Sequence, residues 1–322
     1  MLSRSDPRIH HHPLSARTVV VAPRRADRPS DLDPSGGGGC PFCAGHESQT
    51  PPHVLRAPAA DHEPWHARII PNRFPIVEPL RSTTDSGVGA STTTRPAHGV
   101  HDVVIESAAH LRSILEVDAV RWRDVWRLIQ RRLAMLAATD GIVWATVFKN
   151  SGLAAGASLE HLHSQLIGLD FVPPVMEAKL AAAAQGLSFT DMIRQAEAAG
   201  LVIAETAGVV ALVPPAPRQP FETWIVPREP EPLFSATSPQ RVEAVADLTR
   251  HVVARLDAAV PNADYNWWLH QSAFGERAAA VAGHWHWHLE ILPRLAPLAG
   301  FELGTGCHIT TLSPEESARR LA

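Results

Sequence analysis

Two histidines one residue apart, His161 and His163, follow a Gly/Ser-rich stretch from Ser151 to Ser158 and precede Gln165. Alternate residues of a strand point to one side, so an extended segment here presents both imidazoles on one face, beside whatever the turn cradles. A neutral imidazole can attack phosphorus and form a phosphoramidate that a second acceptor then opens, which is covalent catalysis without a metal at the reacting atom. That chemistry needs backbone N–H groups and neutral donors around the phosphate, which Ser151 to Ser158 and Gln165 can supply. Attack requires the neutral ring, so activity is expected to fall as pH drops through the histidine pKa.

Cys40-Pro41-Phe42-Cys43 supplies half of a tetrahedral metal site, which two imidazoles would complete. The spacing alone does not say which two of the 18 histidines they are. A redox role is disfavoured because no thioredoxin-like βαβ pattern surrounds the pair. The run His284-Trp285-His286-Trp287-His288 is the other ligand-like segment, with all three histidines expected on one strand face and both tryptophans on the other. His10-His11-His12 sits in a Pro-rich irregular stretch and is given no role, and Cys307 is expected to pack inside a tail strand.

These groups need elements to hold them. The chain of 322 residues, 45% hydrophobic and 19% charged, can bury one large core or two ordinary ones. A formal charge of -4 gives no global field for nucleic acid or an anionic membrane. There is no uncharged apolar run of about 18 residues, and the expectation is a soluble cytoplasmic protein. Thr18 to Val21 and Val103 to Ile105 read as strands, and residues 66–77 as a strand broken by Pro71. Residues 82–97 read as a loop. Trp122, Val125, Trp126, Ile129, Leu133 and Leu136 recur at helical steps, followed by a strand at 142–148 and the His-rich strand 161–169. The second half repeats this order: a strand at 221–226, a helix from Pro239, a strand at 265–269 and a His-rich strand at 284–292. The pattern predicts an α+β fold of two duplicated units, 1–185 and 186–322, each an antiparallel sheet with a packed helix, the boundary falling in or just after a helical stretch at 177–200.

Phe148-Lys149-Asn150-Ser151-Gly152, Gly156-Ala157-Ser158 and His161-Leu162-His163-Ser164-Gln165 resemble the active-site signature of the galactose-1-phosphate uridylyltransferase family, in the histidine-triad superfamily. The segment from Pro23 to Pro29, the Cys pair, Pro220 to Trp224 and the tail Gly300 to Gly306 agree with it. The resemblance implies two histidine-triad-like units and a ping-pong nucleotidylyltransferase with His163 as nucleophile and Gln165 stabilising the intermediate. Its partners would be a nucleotide sugar and a hexose 1-phosphate, with no nucleic acid and no membrane, and the protein would be a homodimer. Asn150 and Ser158 match residues around the phosphates, Arg25 and Arg28 match arginines near the phosphorylated substrates, Asn72 lies where the family contacts the nucleoside, and Glu302 matches a glutamate on the hexose hydroxyls. The zinc ligands implied are Cys40, Cys43, His110 and His161. A second metal, iron or zinc, would use His270, His286, His288 and Glu177; the alternative is histidines hydrogen-bonded within the sheet.

The family's commonest nucleophile motif is His-Pro-His, whereas this chain has His-Leu-His followed by Ser164. That variant and the tail resemble the branch that phosphorolyses ADP-glucose, while His286-Trp287-His288 resembles bacterial uridylyltransferases. The first expectation is UMP transfer from UDP-glucose to galactose 1-phosphate, with ADP-glucose phosphorylase as the alternative and a non-catalytic nucleotide-binding protein as the third.

Overall fold

The computed structural model describes residues 6–12, 17–27, 39–79 and 94–322. Arg28, the glycines at 36–38 and most of the expected loop at 82–97 lie outside the described residues. The first strands are β1 (Arg8–His11), β2 (Thr18–Val21), β3 (Leu55–Ala57), β4 (Ala67–Pro71), β5 (Thr94–Pro96) and β6 (Gly99–Ile105). Then come α1 (Ala119–Ala137), β7 (Trp144–Ser151), β8 (His163–Leu169), α2 (Pro174–Ala184) and α3 (Phe189–Ala198). The rest is β9 (Val202–Thr206), β10 (Val209–Leu212), β11 (Thr223–Pro227), α4 (Pro239–Ala259), β12 (Tyr265–His270), α5 (Glu276–Ala280), β13 (His288–Pro293), α6 (Gly300–Thr305) and α7 (Pro314–Leu321).

Among the described residues, ten strands form one sheet in the order β3-β4-β6-β8-β7-β12-β13-β11-β10-β9, with every neighbouring pair antiparallel. The first five come from the first half of the chain and the last five from the second, and they meet where β7 pairs with β12. Across that seam Phe148 faces Trp268. Phe148 in turn faces Gln165 on β8, and Trp268 faces Glu290 on β13. The sheet is therefore two copies of one pattern turned about the Phe148/Trp268 pair, in which Gln165 corresponds to Glu290 and His163 to His288.

α1 and α4 pack together on one face of this sheet. Asp118 accepts from the amides of Val120 and Arg121 at the start of α1, and Ser238 caps α4 ahead of Pro239. The apolar stripe read from the sequence is the buried face of α1. Trp126 stacks on Trp267 of β12, ring centroids 5.4 Å apart, so a helix of the first half rests on a strand of the second. Full burial of side chains of this size stabilises by roughly 1.5–3 kcal/mol each, which welds the halves into one core.

Several expectations need correction. The stretch 66–77 ends as a strand at Pro71, whose missing N–H cannot continue a ladder. Thr94–Pro96 is a strand on the edge of β1 rather than loop. The helical stretch at 177–200 is two helices, α2 and α3, divided by residues 185–188. His161 precedes β8 and His286 precedes β13, while His284 is exposed in a turn, so strand alternation does not apply to them. The tail at 300–305 is a helix, and Cys307 beyond it is exposed instead of packed.

Candidate active site and metal centre

Cys40, Cys43, His110 and His161 converge although they come from three separate segments, with one donor atom from each lying within 4.8 Å of the others. Cys40 Sγ is 3.4 Å and Cys43 Sγ 3.6 Å from His161 Nδ1, and Cys43 Sγ is 3.6 Å from His110 Nδ1. An ion with the bond lengths of zinc, about 2.3 Å to sulfur and 2.0–2.1 Å to nitrogen, has tetrahedral S···N edges of about 3.5 Å, so the four residues fit such an ion. His161 Nε2 donates to the Ser107 carbonyl at 2.9 Å, which leaves the lone pair on Nδ1, inside the cluster. Burial pushes the His161 ring down to about 4, keeping it neutral, and pushes the Cys40 thiol up to about 11. A thiol held that high becomes a thiolate near neutral pH when a cation replaces its proton.

His161 is also the lead-in to His163. Phe42, between the two cysteines, meets both rings edge-on at 5.8 and 5.5 Å, linking the metal cluster to the expected nucleophile by packing. His163 Nδ1 donates to the His161 carbonyl at 2.7 Å, which puts the lone pair on Nε2. The ring lines a cavity of about 420 Å³ together with Asn150, Ser151, Gly152 and Ser158. The Ser158 hydroxyl is buried there with no hydrogen-bond partner among the described residues, as expected of a donor awaiting a ligand. Asp264 shapes the turn by accepting from the Ala154 amide at 2.7 Å. At Gly152, φ is +86° and a Cβ would lie 1.7 Å from Asp264 Oδ1, so only glycine fits.

Behind His163 lies a buried ion pair. Lys149 Nζ donates to Glu106 Oε2 at 2.6 Å and to the His163 carbonyl at 2.8 Å, and the other Glu106 oxygen accepts from the Ser164 hydroxyl. Burial pulls the Lys149 pKa down while Glu106 opposes that shift. Gln165 is set by a residue the sequence reading missed: the Ile76 amide donates to His101 Nδ1 at 3.1 Å, so His101 Nε2 carries the proton and donates to Gln165 Oε1 at 3.0 Å. The Gln165 amide group is thereby turned as a donor. Asn266 does the same for Asn150, donating to its Oδ1 at 2.8 Å. Neither partner has a sequence signal, because each is contributed by a different strand.

The remaining candidates are less concentrated. The Asn72 amide donates to the His101 carbonyl at 2.8 Å and its Oδ1 accepts from the Phe74 amide, and Arg25 donates to the Phe74 carbonyl at 2.9 Å, so both join the group that holds Gln165. Burial lowers the Arg25 pKa. Glu302 caps α6 by accepting from the Ala299 amide at 3.0 Å and is not among the walls of the His163 cavity.

The expected second metal set is not assembled. Glu177 is on the surface, paired with Arg277 at 2.8 Å. His286 donates from Nδ1 to the Pro227 carbonyl at 2.7 Å, and its Nε2 lies 3.3 Å from Thr190 Oγ1. His270 and His288 do converge, but with Glu290, which the sequence reading passed over, and the ammonium of Lys179 is lodged among the three.

Residues 71–173 match the model of the galactose-1-phosphate uridyl transferase N-terminal domain, and residues 129–322 match a domain of unknown function, DUF4921. The chain is 31% identical to ADP-glucose phosphorylase of Arabidopsis thaliana, over 99% of this chain and 93% of that protein. It is 24% identical to galactose-1-phosphate uridylyltransferase of Thermotoga maritima, over 97% of each. The crystal structure of an Arabidopsis thaliana ADP-glucose phosphorylase with bound ADP-glucose superposes with a TM-score of 0.77 at 30% identity, covering 98% of both chains. A uridylyltransferase structure reaches 0.81 at 24% identity, covering 98% of this chain and 97% of that one, a likeness of fold.

Proposed function

The chain belongs to the galactose-1-phosphate uridylyltransferase family and is a nucleotidyltransferase, and from that premise we propose that it moves the adenylyl group of ADP-glucose to inorganic phosphate through a covalent bond to His163. His163 Nε2 attacks the adenosine-side phosphorus, the pyrophosphate link breaks, and glucose 1-phosphate leaves. Phosphate then attacks the same phosphorus, the P–N bond breaks, and ADP leaves with the imidazole restored. Asn150, Ser158, Gln165 and the amides of residues 151–158 donate to the phosphoryl oxygens, where preorganised donors stabilise the developing charge. Arg25 and Arg28 serve the phosphates and Asn72 the nucleoside. Zinc is the ion we assign to Cys40, Cys43, His110 and His161; when bound it supplies no reacting group and holds the segment that presents His163. In this reading Glu302 serves the sugar hydroxyls and the protein works as a homodimer. In this reading the functional units are residues 1–185 and 186–322.

The observation that carries the donor and acceptor is the 31% identity, over 99% of the chain, to an ADP-glucose phosphorylase. A second reading, UMP transfer from UDP-glucose to galactose 1-phosphate, is supported by the uridyl transferase domain match at 71–173. Intact-protein mass spectrometry under non-acidic conditions separates them, because a phosphoramidate survives briefly near neutral pH. An AMP adduct from ADP-glucose, discharged by phosphate, is expected. A UMP adduct from UDP-glucose alone would favour the second reading, and no adduct from either would overturn covalent transfer.

A further inference from the structure

In the second half of the sheet, Lys179 of α2 reaches across to β12 and β13. Its Nζ is 2.9 Å from His270 Nδ1 and 3.1 Å from His288 Nε2, and it also donates to Glu290 Oε1. The ammonium donates to Glu290 Oε1 and to His288 Nε2, and His270 Nδ1, 2.9 Å from it, also lies 3.0 Å from Glu290 Oε1. His288 can accept at Nε2 because its Nδ1 donates to the His286 carbonyl at 3.1 Å. Glu290's second oxygen accepts from Arg218, which also pairs with Glu222, so the two carboxylates and two cations of the cluster balance. Trp224 stacks on His288 with centroids 5.0 Å apart and lies 5.0 Å from Lys179 Nζ, closing the cluster with an aromatic face.

Two imidazole nitrogens and a carboxylate that converge on one point are a metal-ligand set, and the point is taken. A metal ion would bond these donors at about 2.0–2.2 Å. The lysine nitrogen stands at hydrogen-bond distance from the same donors, and the two cations exclude one another. We propose that the Lys179 ammonium is the resident cation of this site, an internal substitute for a structural metal ion that bolts α2, which directly follows the nucleophile strand, to the second half of the sheet. The strand-order symmetry sharpens this: the position that in the first half lies between His163, Gln165 and Asn150 is filled in the second half by a cation of the chain itself.

Cobalt(II) titration of chelator-treated protein tests the proposal, because a cobalt ion on Cys40 and Cys43 shows a thiolate charge-transfer band and one on His270, His288 and Glu290 does not. The wild type is expected to bind no cobalt without that band. Lys179→Glu, which removes the ammonium and adds a carboxylate, is expected to bind one further cobalt per chain through visible d–d bands alone, with its melting temperature lowered in chelator and raised on cobalt addition. If Lys179→Glu does not fold without metal, Lys179→Gln is titrated in its place, with the same extra equivalent expected. A second cobalt in the wild type that disappears in His288→Asn overturns the proposal, as does a folded Lys179 variant that gains none. Failure of the thiolate band would count against the Cys/His centre alone and leave the second site's count readable.

Discussion

His163 and His288 occupy corresponding places in two halves of one sheet, each with Nδ1 tied to the carbonyl two residues earlier, and their surroundings are opposite in kind. Around His163 the corresponding partners are neutral: Gln165 and Asn150, each turned by another neutral side chain, beside a cavity of about 420 Å³. Around His288 they are Glu290 and His270, and the space between them holds an ammonium. One backbone arrangement thus supports an open site suited to an anionic phosphate and a closed one neutralised from within. The ladder sets where imidazoles stand, and the side chains two residues along decide whether the site takes a ligand or completes the core.

The sharpest way to break this comparison is to exchange the histidines' fates. His163→Asn is expected to lower transfer by more than about 10⁴-fold with fold and metal content unchanged. His288→Asn is expected to keep turnover within about threefold while lowering stability by roughly 1–3 kcal/mol, since a buried acceptor of Lys179 is lost. Transfer assays with thermal melts check both, and the reverse pattern would interchange the halves. Next in size is the buried charge that the open half does contain. Lys149→Met leaves Glu106 buried without its cation and is expected to cost about 3–5 kcal/mol in a urea titration, with turnover falling as His163 loses its carbonyl anchor.

Acid should probe the closed half next, with a Lys179 variant separating its share from that of His161, which burial likewise drives down to about 4. Burial, with the Lys179 charge, drives the His288 pKa down to about 4, and burial lowers that of His270, while against the opposing effect of burial Glu290 is held well below the usual carboxylate range by His270 and Lys179. The ring faces Lys179 of α2, His270 of β12 and Glu290 of its own strand, with Arg218 and Glu222 behind them. An unfolded histidine binds its proton near pH 6.5, so the unfolded chain holds more protons as pH falls below that value. The stability from keeping these rings neutral is fully present above pH 6.5 and is lost as pH drops toward about 4. Unfolding free energies from urea titrations between pH 7 and 4.5 should therefore decline, by a few kcal/mol in all, and Lys179→Gln should flatten the decline by removing the charge that opposes protonation. The smallest effect tests positioning. His101→Phe frees Gln165 and is expected to lower kcat about tenfold with KM little changed, whereas loss of a merely structural contact would move the melting temperature and leave kcat alone.

Much of this was legible because it is periodic or local. The stripe from Trp122 to Leu136 announced α1, Ser238-Pro239 announced α4, and the Cys pair and His-Leu-His segment announced the two centres. The parts misread are those where the alternation rule was extended past a strand's end, at His161, His284 and His286, and where a tail helix was taken for a strand. His101, Asn266 and Glu290 went unnoticed because a cross-strand partner has no fixed separation in sequence.

The sequence by itself determined the duplicated α+β plan, the reacting histidine's candidates and half of the metal ligands, since period and spacing are properties of a short stretch. Spacing left open which histidines meet the cysteines, the family resemblance named His110 and His161, and only the tertiary structure decided which carboxylate joins His270 and His288, and that Lys179 rather than Glu177 points at them. On one helix those two residues are about 160° apart, and only the packing of α2 on the sheet selects which of them faces inward.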